Sequence, residues 1–176
     1  MNAIVRRYGH PNEIIVEVVR DLKTSKKRAQ EIQREQAERQ TRNEAHVEDA
    51  CASLGLTPAT LSRSQRRELT QKMQLWVELN PDDVTDRRCP YTGEQIGISR
   101  LLSSAVEIEH ILPWSRTLDD SLNNKTVAMS TANRYKRNKT PFEAFGSSNI
   151  EGYDYDHILE RAALMPRAKA KRFASD

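Results

Sequence analysis

A chain of 176 residues with 37% hydrophobic and 30% charged residues can build one domain's core and an appendage, but not several domains. Its formal charge of +3 is too small for composition alone to imply a nucleic-acid binder. The apolar runs are only a few residues long, far from the roughly 20 that span a bilayer, and Met1 to Gly9 lacks the apolar stretch of a signal peptide, so a cytoplasmic protein with no membrane partner is expected.

In chain order, the first expected element is a buried strand, Ile14-Ile15-Val16-Glu17-Val18-Val19, bounded by Gly9, Pro11 and Asn12. Glu17 interrupts it, either facing solvent at a sheet edge or serving a metal site. Residues 23–50 are dense in Lys, Arg, Glu and Gln, with oppositely charged side chains four apart, such as Lys27 and Glu31, and only a thin apolar stripe. A solvated helical connector follows from that pattern. Thr57-Pro58 and Ser62-Arg63-Ser64-Gln65 both read as helix starts, and Leu69, Met73, Trp76 and Val77 then recur at helical spacing. The two cysteines, Cys51 and Cys89, have no Cys or His at zinc-ligand spacing, so zinc is not expected and both read as reduced, small apolar residues.

Residues 89–140 predict the order strand, long loop, strand, helix. The turn Tyr91-Thr92-Gly93-Glu94 precedes a strand over 105–110. A loop with Pro113, Asp119-Asp120 and Asn123-Asn124 leads to a short strand at Thr126-Val127-Ala128-Met129. A helix capped by Ser130 or Thr131 then runs to about Asn138, and a capping box opens at Thr140. Past 147 come a polar loop, a helix through Ile158, Leu159 and Ala162, and a basic tail. The basic residues cluster here, four of six between Arg134 and Lys139 and four more from Arg167 to Arg172.

The chemistry concentrates at the end of the first of these strands. Val106-Glu107-Ile108-Glu109-His110 places a carboxylate beside an imidazole, and Asn124 and Asn133 follow. Phosphodiester hydrolysis needs an activated water and stabilisation of charge on the phosphoryl oxygens. An imidazole, with an ordinary pKa of about 6.5, can take a proton from water at neutral pH. Mg2+ prefers oxygen ligands such as Glu109 and the Asn133 amide oxygen, and would act as a Lewis acid on the phosphate. Neighbouring side chains of a strand point to opposite faces, so Glu109 and His110 share a site only if the alternation breaks at the strand end. Asn124 can hold the loop backbone near His110, and the helix carrying Asn133 offers Arg134, Lys136 and Arg137 to a phosphate backbone. His157 beside Asp156 lacks this context and reads as structural, as do His10 and His46. Glu107 reads as part of a solvated strand face.

These residues resemble the HNH nucleases, with Asn at the third letter. The longer pattern, Cys89-Pro90-Tyr91-Thr92-Gly93, Glu107 through Arg116, Asp119-Asp120-Ser121, Asn123-Asn124-Lys125, Asn133, Lys136 and Thr140-Pro141, is similar to the HNH domain of type II CRISPR RNA-guided endonucleases, the Cas-nine family, in its compact subtype. The resemblance implies a mainly helical α+β fold with a ββα-metal core and flanking helices. It implies His110 as general base, Glu109 and Asn133 as ligands of Mg2+ or Mn2+, Asn124 as loop support and Lys136 as a phosphate contact. It further implies a second RuvC-like segment over 1–22, in which Glu17 matches a metal-binding carboxylate of an incomplete site. A charged helical linker over 23–50, the HNH domain over 51–150 and a helical, basic linker over 151–176 back toward the RuvC-like domain complete the layout. Glu109 stands where Asp is frequent in the family. The expectation is a domain excised from a larger bacterial effector whose partners are target DNA, guide RNA, the rest of the effector and, on the HNH face, a protein inhibitor; the parent would cut the guide-paired DNA strand. The alternatives are a free-standing homing or restriction HNH endonuclease and a non-catalytic basic binding module.

Overall fold

The computed structural model describes residues 5–7, 9–10, 25–146 and 151–175. The strand expected at 14–19, with Glu17, lies outside the described residues. The chain divides into two compact units, Met1–Ala37 and Glu38–Asp176.

The long helix α1 spans Lys26–Leu54. Its charged turns are exposed, with pairs such as Arg28 to Glu31 at 3.2 Å, and it buries only Val47, Ala50 and Cys51 near its end. Gly55, at φ 65°, ends it. Leu56 N–H donates to Cys51 O at 2.9 Å and Gly55 N–H to Ala52 O at 3.4 Å, the paired bonds of a Schellman cap, whose left-handed residue is glycine because no Cβ opposes it.

Helix α2, Arg63–Val77, starts at the Ser62–Gln65 capping box and buries Met73, Leu75 and Trp76. Trp76 donates its indole N–H to Ile96 O at 2.6 Å and lies under the Arg87 guanidinium, 4.2 Å from the ring centre. Cys89 to Glu94 forms a tight turn closed by Gly93 N–H to Cys89 O at 2.9 Å. A short helix α3, Ile98–Leu101, leads to strand β1, Val106–His110. The single turn α4, Trp114–Thr117, follows, then β2, Lys125–Met129. The strands pair antiparallel, from Val106 with Met129 to His110 with Lys125.

Helix α5, Ser130–Lys136, continues directly from β2. It lacks the expected side-chain cap because the helix starts at Ser130 itself, which leaves Met129, without a side-chain oxygen, at the capping position; Ser130 N–H is satisfied by Ala105 O at 2.9 Å. It stops at Lys136 because Arg137 turns the chain with φ 52°. Helix α6, Pro141–Phe145, opens with the predicted capping box between Thr140 and Glu143. Helices α7, Tyr155–Ala163, and α8, Arg167–Phe173, close the chain. The residues of α8 were expected to be a basic tail. Phe173 and Lys169 are buried, and Lys169 pairs with Glu78 and donates to Lys125 O at 2.6 Å, which fixes the tail as a helix on the core. The fold is therefore α+β and mainly helical, with a ββα unit at its centre. Its core includes Val106, Val127, Ala128, Ala132, Tyr91, Phe145 and Phe173, with the Tyr91 and Phe145 rings stacked 5.1 Å apart.

Candidate active site

The ββα unit brings Glu109, His110, Asn133 and Lys136 to one cavity of about 240 Å3, completed by Pro113, Trp114, Ser115 and the 137–138 turn. The ladder runs through His110, paired with Lys125, so the strand's regular pairing is not broken between Glu109 and His110. Both reach the cavity because it lies at the mouth of the strand.

Glu109 is 3% exposed. The Tyr91 hydroxyl donates to its Oε2 at 2.9 Å. Lys136 Nζ lies 2.5 Å from its Oε1 as an ion pair and donates to His110 O at 2.9 Å. Burial pushes the Glu109 carboxyl above its ordinary pKa, and the Lys136 ammonium opposes that shift. Burial and then the Glu109 charge push the Tyr91 hydroxyl well up, so it remains a donor. The sequence predicted an outward-facing Lys136 in contact with phosphate. The structure corrects this: Lys136 is 1% exposed and its ammonium is spent on Glu109 and His110 O, because a carboxylate this deep needs a countercharge.

Glu107 is also relocated. It does not lie on a solvated face but accepts from Asn133 Nδ2 at 2.8 Å, since β1 turns residues 107 and 109 toward α5 together. That bond orients the Asn133 amide. Asn124 is fully buried and ties the loop at three points: its Oδ1 accepts from Leu112 N–H, and its Nδ2 donates to Leu112 O and Asp119 O, each at 2.9 Å. Its own carbonyl takes Ile111 N–H at 2.9 Å.

His110 Nε2 lies 2.9 Å from Asp120 Oδ1, and Lys125 Nζ lies 2.8 Å from the same oxygen. Lys125 and then His110 hold the Asp120 carboxyl below its ordinary range. The loop bearing Asp120 is gripped from α8, where Arg172 bonds Asp119 Oδ2 at 3.0 Å. Tyr91, Asp120 and Lys125 were not legible as site residues. All three stood within the quoted pattern, but the partner each one finds is set by tertiary packing.

Among the described residues, no group of three His, Cys, Asp or Glu side chains is gathered to hold a metal ion. The donor set offers a hard divalent cation one buried carboxylate, Glu109, whose Oε1 carries the Lys136 ammonium, and the Asn133 amide lining the same cavity, so a cation held here would keep several waters. His157, by contrast, is an exposed residue 3.5 Å from Asp154, outside this cavity. No described helix is long and apolar enough to cross a membrane.

The HNH endonuclease family profile matches residues 89–142, the stretch that builds this cavity. The CRISPR-associated endonuclease Cas9 1 of Streptococcus thermophilus is 34% identical over 84% of the chain and 13% of its own length. The Cas9 of Campylobacter jejuni is 42% identical over 48% of the chain and 8% of its own length, and that of Staphylococcus aureus 30% over 92% and 14%. The crystal structure of S. thermophilus Cas9 in complex with the GGAA PAM superposes with a TM-score of 0.68 at 26% identity, over 98% of this chain and 17% of that one. The Type II-C Cas9 of Actinomyces naeslundii shares the fold at 19% identity, with a TM-score of 0.62. The chain thus spans less than a fifth of the relatives it matches. It belongs to the Cas9 endonucleases, as their HNH-containing region.

Proposed function

We propose that this region hydrolyses the DNA strand paired with guide RNA in a larger effector, with His110 as the general base. The observation that carries the reading is the convergence of Glu109, His110 and Asn133 on one cavity, with a loop clamped behind them. With Nε2–H donated to Asp120, Nδ1 is the basic nitrogen of His110 and takes a proton from water at the phosphate. Asp120 fixes that tautomer and stabilises the imidazolium that forms. Glu109 and the Asn133 amide oxygen would hold the cation, with Tyr91 and Glu107 keeping them in place. Mg2+, or Mn2+ by the same oxygen chemistry, supplies Lewis acidity on the phosphoryl oxygens when bound. Asn124 keeps the backbone on both sides of the turn in register so that His110 and Asp120 stay within hydrogen-bond reach. The guide RNA and target DNA are partners of the whole effector, and the S. thermophilus relative crystallised with its PAM supports that reading. An inhibitor protein directed at this face would act by covering the same cavity.

Incubation of the chain with Mg2+ and an end-labelled DNA strand paired to RNA tests the chemistry. Nicking that is removed by EDTA and by His110→Ala is expected. Equal nicking by His110→Ala would refute the assignment of the base.

A further inference from the structure

Two features at the cavity rim are left unused by the chemistry above. Trp114 lines the cavity yet is 52% exposed, the only one of the chain's two tryptophans so placed; Trp76 is 5% exposed. Its backbone is held on both sides. Pro113 is buried, the Asn124 amide binds Leu112, and two residues on Arg116 is clamped by the Glu143 carboxylate at 2.6 and 2.9 Å. A large aromatic surface is therefore kept in water on a rigid support, where burial would have stabilised the fold.

Arg137 is the second feature. Lys139 N–H donates to Lys136 O at 3.2 Å and closes a turn whose first central residue, Arg137, has φ 52° and ψ −135°. Those are the angles of a type II′ turn, at the position that glycine occupies. An arginine there sits in a backbone conformation that costs a non-glycine residue strain. That side chain is exposed, lines the same cavity and forms no ion pair among the described residues. Two independent oddities, an aromatic plate and a strained cation, thus line the cavity in which the proposed reaction places the phosphodiester.

We propose that Trp114 and Arg137 form a nucleotide subsite: the indole stacks on a base next to the scissile phosphate, and the guanidinium takes a neighbouring phosphate. The subsite rests on the nuclease reading and extends it to the nucleotides flanking the cut. Stacking is sequence-tolerant, because every base offers a π-face, and that suits a strand whose sequence is read by pairing to a guide. Without a fixed flanking nucleotide, the phosphate would be held only by groups that also do chemistry. The subsite supplies grip without competing for His110.

The test uses the chain in EDTA, titrated with a short DNA–RNA hybrid while tryptophan emission is recorded. Quenching is expected in the native chain and absent in Trp114→Phe, whose remaining indole, Trp76, is buried. Trp114→Ala should raise the Kd for the hybrid between about 5- and 100-fold, with the phenylalanine variant recovering most of the loss. Arg137→Ala should lower the slope of log K against log salt by about one. Quenching that persists in Trp114→Phe, or none with the hybrid in large excess, would overturn the subsite. Nicking in Mg2+ is scored separately. A chain that cuts without quenching loses the subsite and keeps the nuclease reading, and a chain that quenches without cutting does the reverse.

Discussion

Lys136 Nζ stands 2.5 Å from Glu109 Oε1, with 1% and 2% of the two side chains exposed. A pair this deep is expensive to break and cheap to replace. Removing one partner strands a charge, at a cost of about 3–5 kcal/mol. Lys136→Ala should therefore be destabilised by that order in urea denaturation. The double variant Glu109→Gln with Lys136→Met should recover most of the stability while remaining unable to nick. Equal instability of single and double variants would contradict the pairing.

Asn124 predicts a sharper contrast. Its side chain makes three bonds to loop backbone. Asn124→Ala strands those groups and should cost about 3 kcal/mol by denaturant midpoint. Asn124→Asp should fare no better, because an acceptor then faces Leu112 O and Asp119 O. Asn123→Ala, at an exposed neighbour, should change stability by less than about 0.5 kcal/mol.

The layout of His110, Asn124 and Asn133 was legible because residue type and spacing carry it, and the capping boxes at Ser62 and Thr140 were legible because they are local. Tyr91 to Glu109, Lys136 to Glu109 and Asp120 to His110 were not. Each joins residues ten or more apart in sequence, through contacts that no periodicity encodes. Lys136 shows the physical reason most clearly. Its place in a basic run pointed outward to phosphate, but the buried Glu109 carboxylate on the neighbouring strand claimed it. The packing of the basic tail follows the same rule, since Phe173 and the Glu78 partner of Lys169 become relevant only once the core exists.

Acid sensitivity should report the grip on the active-site loop. Ser121, through side chain and backbone, and then Arg172 hold the Asp119 carboxyl at about 2 against an ordinary 3.8. A carboxyl lowered on folding contributes stability that is full above 3.8 and is lost as pH falls toward 2. Thermal melts of the native chain should lose this contribution between those two values. Asp119→Asn should be less stable at neutral pH and should show a shallower decline across that window. A parallel decline in both proteins would contradict the assignment.

Arg137→Gly should relieve the strained turn. Strain of about 1–3 kcal/mol is offset by the extra chain entropy of glycine, leaving a net gain of about 1 kcal/mol in thermal or urea unfolding. A less stable glycine variant would show that the turn is not strained.

The central claim is that His110 cuts the guide-paired strand. The most direct measurement places His110→Ala in the reconstituted full-length effector, loaded with guide, and follows both strands of a doubly labelled target. The account predicts that the guide-paired strand stays intact while the opposite strand is still cut. Cleavage of the guide-paired strand at the native rate would contradict it.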